Sequence, residues 1–79
     1  MIPYGYRIRN AEAVIEPQEQ ENLRKLFRLF ISGEKLIDCV RQSGIDRTPQ
    51  TCKRMLSNAT YLGTDFYPAL IPADIFSAA

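Results

Sequence analysis

Histidine is absent from this chain, and cysteine occurs only twice, at Cys39 and Cys52. Without an imidazole neither a His-based triad nor the usual His-containing zinc sites can be built, and two thiolates do not close a tetrahedral metal site. No metal and no cofactor are therefore expected. The four glycines are too dispersed to form a phosphate-cradling loop. No stretch approaches the roughly 20 apolar residues that span a bilayer. No basic-then-apolar leader is present either, so a cytoplasmic protein with no membrane partner is expected. A charge excess is missing as well: 10 Lys and Arg against 9 Asp and Glu leave +1. Any attraction to nucleic acid must then come from where the cations sit, not from their number.

What is present suits one small domain over residues 1–79. Apolar residues make up 46% of the chain and include four Tyr and four Phe, which is enough for a core and argues against disorder. A domain of this size buries only about 60% of the surface that its unfolded chain exposes, so that core is thin. Free buried thiols are expected for Cys39 and Cys52, with a disulfide as the alternative.

The organising stretch is Gly33–Asn58, which reads as two short helices joined by a tight turn, a helix-turn-helix outline. Before it, Tyr4, Tyr6 and Ile8 alternate with Gly5, Arg7 and Arg9, the period of a half-buried strand. Asn10-Ala11-Glu12 supplies a turn, and Ala13-Val14-Ile15 returns as the second arm of a hairpin. Pro17 then opens a first helix capped by Glu16, with Leu23, Leu26, Phe27, Phe30 and Ile31 on one face and Gly33 as its left-handed stop. A second helix is expected from about Glu34 to Gln42, with Leu36, Ile37, Cys39 and Val40 turned inward and Gly44 ending it. Thr48 and Pro49 start the third, whose inner face is Cys52, Met55, Leu56 and Ala59. Tyr61–Tyr67 regains strand character and is expected to join the hairpin as a third strand. Pro72 and Asp74 then begin a short helix, Ala73 to Ala78. The expected fold is α+β: an N-terminal hairpin plus a third strand packed on three helices, the last two helix-turn-helix-like, with a short C-terminal helix.

The outer face of the third helix holds Gln50, Thr51, Lys53, Arg54, Ser57 and Asn58, with no apolar residue and no acid. Amides and hydroxyls reach base edges while Lys and Arg reach phosphate or guanine, so this is the composition of a groove-reading helix. Seven of the ten cations are Arg, the better match to phosphate and guanine geometry. By contrast Ser32, Ser43, Ser57 and Ser77 have no activating relay at plausible spacing and read as cap, turn or helix-face residues. An enzyme is not expected.

Four stretches, in order, carry a family resemblance: Pro3-Tyr4-Gly5-Tyr6-Arg7 with Val14-Ile15-Glu16-Pro17; Leu26–Leu36; Thr48–Gly63; and Pro68-Ala69-Leu70-Ile71 with Ile75-Phe76. Together they resemble the recombinase domain of large serine recombinases. Arg47 stands where that family usually has Trp, Gln20 replaces a small residue and Ala59 a proline, and the connection before Thr48 is shorter. The family's catalytic serine domain and its Cys-rich zinc ribbon have no counterpart in these residues. The resemblance implies a DNA-binding module of site-specific recombination, without strand cleavage of its own. The implied partners are double-stranded DNA and a recombinase catalytic domain or subunit.

The expected contact face combines Arg7, Arg9, Arg47, Lys53 and Arg54 with Thr48, Gln50, Thr51, Ser57 and Asn58, and backbone amides at the start of the third helix are expected to add a phosphate site. About four to six phosphate contacts correspond to a salt slope of about −4 to −5 and an affinity near 10⁻⁴ to 10⁻⁶ M, roughly the non-specific range. The alternative is a protein-interaction or regulatory domain that associates with a recombinase or phage protein and does not itself bind DNA.

Overall fold

The computed structural model describes residues 2–79. Two strands, β1 (Tyr6–Arg9) and β2 (Glu12–Ile15), form an antiparallel hairpin, followed by helices α1 (Pro17–Ile31), α2 (Leu36–Ser43) and α3 (Pro49–Met55). A 3₁₀ turn over Ala59–Leu62 leads into an irregular stretch, and α4 (Ala73–Ala78) closes the chain. The α+β class is as the sequence indicates.

The hairpin register pairs Tyr6 with Ile15, Arg7 with Val14, Ile8 with Ala13 and Arg9 with Glu12. Its connection is shorter than expected, because Glu12 belongs to β2. Asn10 and Ala11 carry the whole reversal at φ 50 and 63, the mirror-image turn whose twist matches the strands. Tyr6 alone of the strand residues is fully buried; Ile8, further along the same face, stays 40% exposed because nothing covers the hairpin's tip as it covers its base.

Local signals set the bounds of α1. The Glu16 side chain accepts the Glu19 amide at 2.8 Å and Pro17 occupies the first turn. At the other end the amides of Gly33 and Glu34 return to the carbonyls of Phe30 and Leu29 at 3.1 and 3.2 Å. That double closure needs the positive φ of 96 that Gly33 adopts without steric cost. Leu23, Leu26 and Phe27 are buried, whereas Phe30 and Ile31 are exposed, because α1 outruns the elements that cover it. Helix α2 starts two residues later than expected and turns Cys39 inward, leaving Ile37 55% exposed. Ser43 closes α2 as a buried turn residue: its hydroxyl donates to the Val40 carbonyl at 2.8 Å and accepts the Ile45 amide at 3.2 Å. Ile45 then folds into the core, and Cys39 and Cys52 are both buried free thiols. Ala59, expected on the inner face of α3, lies exposed in the 3₁₀ turn beyond the helix.

The expected third strand does not form; among the described residues the sheet has two strands. The reason is where the backbone donors of this stretch go. Asn58 Oδ1 accepts the Thr60 amide, the Gly63 amide returns to the Thr60 carbonyl, and the amides of Phe66 and Tyr67 both donate to Thr64 Oγ1. Polar side chains that close local turns compete directly with a strand ladder. The segment still locks the hairpin, but by side chains: the Tyr6 hydroxyl donates to the Pro68 carbonyl at 2.7 Å, and its ring lies 4.7 Å from that of Tyr67. Leu70 and Ile71 are buried, with both amides on the Tyr61 carbonyl. Helix α4 docks on α1 through Phe76, whose ring is 6.0 Å from that of Phe27.

Candidate nucleic-acid interface

Helix α3 is held at its start by Thr48, whose Oγ1 accepts the Thr51 amide at 3.3 Å, with Pro49 in the first turn. The Thr48 hydroxyl in turn donates to Thr51 Oγ1 at 3.0 Å. Both threonines are therefore engaged in capping. One of the amides expected to serve a phosphate is already satisfied, and α3, at seven residues, offers too short a dipole to make its start an anion site by itself. Buried Cys52, Met55 and Leu56 anchor the helix from below. Burial pushes the Cys52 thiol above its usual range, and it sits there as an apolar core residue.

The opposite face is open. Gln50, Lys53, Arg54 and Ser57 are exposed, Thr51 and Asn58 are half-buried, and no acid lies between Asp46 and Asp65. Asn58 faces two tasks, since its Oδ1 caps the 3₁₀ turn and leaves its amide nitrogen for other partners.

Arg47 joins this face through a contact with the N-terminal segment. Its guanidinium lies over the Tyr4 ring, 5.2 Å from the centroid, and its Nη1 donates to the Asp46 carbonyl at 2.7 Å. Tyr4 is held in turn, because its hydroxyl accepts Asn22 Nδ2 at 3.0 Å and Asn22 Oδ1 accepts Gln18 Nε2. A cation on an aromatic face is attracted by the ring's negative π-surface, which orients Arg47 without neutralising it. Together Ile2, Pro3, Tyr4, Arg47, Thr51, Arg54, Met55, Asn58 and Tyr61 outline an open groove of about 500 Å³.

Arg7 stands differently. Its Nη1 and Nη2 pair with Glu19 Oε1 and Oε2 at 3.1 and 2.8 Å, and Oε1 also accepts the Gly5 amide at 2.8 Å. Partial burial raises the Glu19 carboxyl, but the Arg7 guanidinium, the Gly5 amide and the more distant Arg47 charge outweigh it and hold it below the usual range. Arg9 lies opposite Glu12 in the hairpin and, with Arg7 and Glu16, borders a separate groove of about 590 Å³. The expected site residues thus fall into an α3 group that includes Arg47, and a hairpin group in which each Arg has a carboxylate opposite or bound. Tyr4, a strand-pattern residue, and Glu19, a carboxylate in the first turn of α1, organise the site through contacts that the sequence does not mark. Those contacts leave no local signal, since each joins residues at least a dozen positions apart.

No protein family, curated protein or solved structure matches the chain. Among the described residues no helix is long and apolar enough to cross a membrane, and no three His, Cys, Asp or Glu side chains group as metal ligands.

Proposed function

We propose that this chain is a DNA-binding module of a serine-recombinase-like protein, with α3 laid against double-stranded DNA and strand cleavage left to a separate catalytic domain or subunit. The observation that carries this reading is the open face of Gln50, Lys53, Arg54 and Ser57, continued by the oriented but unneutralised Arg47 in an acid-free stretch. Lys and Arg there meet phosphates, and the amides and hydroxyl meet base edges. The ordered resemblance of Pro3–Phe76 to a recombinase domain supports the same assignment. Arg7 acts mainly in holding the hairpin on α1, and Arg9 reaches the backbone at the margin.

The test is an amide-resolved NMR titration of the chain with a duplex at two salt concentrations. Shifts centred on Gln50–Ser57 that weaken with salt, and that vanish in Lys53→Ala/Arg54→Ala with the fold intact, support the reading. Unmoved α3 amides at millimolar duplex sink it.

One observation favours a second reading, a protein-interaction domain that associates with a recombinase or phage protein. Phe30, Ile31 and Ile37, near the adjoining ends of α1 and α2, are exposed apolar side chains, the kind of surface that a protein partner covers. Shifts confined to these residues on mixing with a recombinase, with none from DNA, would favour it.

A further inference from the structure

The groove between the N-terminal segment and α3 has a chemistry of its own. One wall is Pro3 and Tyr4, the other is α3, and Met55 and Tyr61 close the bottom, with Ile2 at the edge. Met55 and Tyr61 are almost wholly buried, so the floor is part of the core and mostly apolar, whereas Ile2 is 46% exposed at the edge. The rim is polar: Arg47 and Arg54 carry positive charge, and Thr51 and Asn58 add a hydroxyl and an amide. No Asp or Glu lines it. Glu19, whose carboxylate feels the Arg47 charge, is occupied by Arg7 and Gly5. At about 500 Å³ the groove is of the size that holds one small molecule, with few polar groups set around an apolar base. A duplex backbone would use only its rim.

We infer that this groove binds a single nucleotide, its phosphate between Arg47 and Arg54 and its base over the apolar floor beside Ile2 and Met55. The charge of the rim favours an anion, and the apolar floor favours one that carries a weakly hydrated body such as a base. Asn58, with its Oδ1 held by the Thr60 amide, presents its amide nitrogen as a donor to a base carbonyl. The nucleotide comes either from a DNA strand, as an unpaired base beside the duplex on α3, or from the free pool. The first source rests on the DNA reading above; the second does not.

The experiment follows amide shifts of the chain with five probes: dTMP, thymidine, inorganic phosphate, a fully paired duplex, and the same duplex with one unpaired thymine. Expected are shifts at Tyr4, Thr51, Arg54 and Asn58 with dTMP, at an affinity about fivefold or more above that of thymidine or phosphate alone. If the source is a strand, the unpaired thymine raises duplex affinity about tenfold, the scale of one seated base. Equal duplex affinities with dTMP still bound assign the free nucleotide. Arg54→Gln removes dTMP binding, and Ile2→Ser weakens it severalfold while leaving charge unchanged; circular dichroism confirms that both variants fold.

Inorganic phosphate matching dTMP in shifts and affinity overturns base recognition. Groove amides unmoved by dTMP overturn the site, whether or not the unpaired thymine is preferred. The DNA reading is judged separately, on the Gln50 and Lys53 amides with the paired duplex, because neither residue lines the groove.

Discussion

Arg7 and Glu19 form a two-point ion pair, 2.8 Å between Nη2 and Oε2 and 3.1 Å between Nη1 and Oε1, that ties the hairpin to the first turns of α1. The pair is asymmetric. The Arg7 side chain is 53% exposed and Glu19 only 16%, and the carboxylate also holds the Gly5 amide. Much of the contribution therefore lies in the Glu19–Gly5 hydrogen bond, since an exposed guanidinium is screened by water and salt.

Glu19→Ala leaves the buried Gly5 amide without an acceptor and is expected to cost about 1–3 kcal/mol, read as a shift of the urea midpoint. The Glu19 carboxyl is held below its usual value of 4.5, so its contribution is complete above that pH and is lost as pH falls through the folded value. Glu19→Gln should therefore unfold with a shallower dependence on pH below 4.5 than the parent chain.

At the alkaline end Tyr6 dominates. Burial, with Tyr67 nearby, pushes its hydroxyl from 10.0 up to about 12, and the same hydroxyl donates to the Pro68 carbonyl. A raised value means that the protonated form stabilises the fold fully below the ordinary value, and that this is lost as pH rises through the folded one. Burial acts on Tyr61 in the same direction. Circular dichroism should show loss of structure across pH 10 to 12, and Tyr6→Phe should lower stability at neutral pH by about 1 kcal/mol while flattening the alkaline limb.

Two turn positions give opposite signs. Gly5 has φ +106, and a Cβ there would fall 2.5 Å from Leu70 Cδ1 and 2.9 Å from Leu23 Cδ1. Gly5→Ala is expected to destabilise by about 2–4 kcal/mol, combining backbone strain with overpacking where hairpin, α1 and tail meet. Ala11, at φ 63, already bears the strain of a left-handed residue. Ala11→Gly relieves it and should stabilise by about 0.5–1 kcal/mol, visible as a higher melting temperature.

For DNA, the pairing of Arg7 with Glu19 lowers the number of free cations. Arg9, Arg47, Lys53 and Arg54 remain, which corresponds to a log–log salt slope of about −3 to −4, shallower than the five-cation face predicts. Arg7→Gln should change that slope by less than about 0.3, whereas Arg54→Gln should reduce it by about 0.9. Fluorescence anisotropy across a salt series measures both.

The sequence by itself determined the features whose causes lie within four residues. Glu16 before Pro17 and Gly33 mark the two ends of α1, Gly44 the end of α2, and Thr48 before Pro49 the start of α3, because caps and left-handed stops act on the adjacent turn. The existence of a strand at Tyr6–Arg9, two residues shorter than the Tyr4–Arg9 alternation implies, and the three- and four-residue recurrence of Leu23, Leu26 and Phe27 likewise follow from backbone period. The α+β class and the acid-free face of α3 were legible for these reasons. Only the tertiary structure decided the rest. Tyr61–Tyr67 has strand-forming residues, yet the Asn58 and Thr64 side chains close local turns there and the sheet stops at two strands. Phe30, Ile31 and Ile37 carry the helical pattern of a core face but stay exposed. Arg7 bound by Glu19 and Arg47 seated on Tyr4 join residues far apart in the chain. Such contacts depend on how whole elements pack, and packing is a property of the assembled chain rather than of any local stretch.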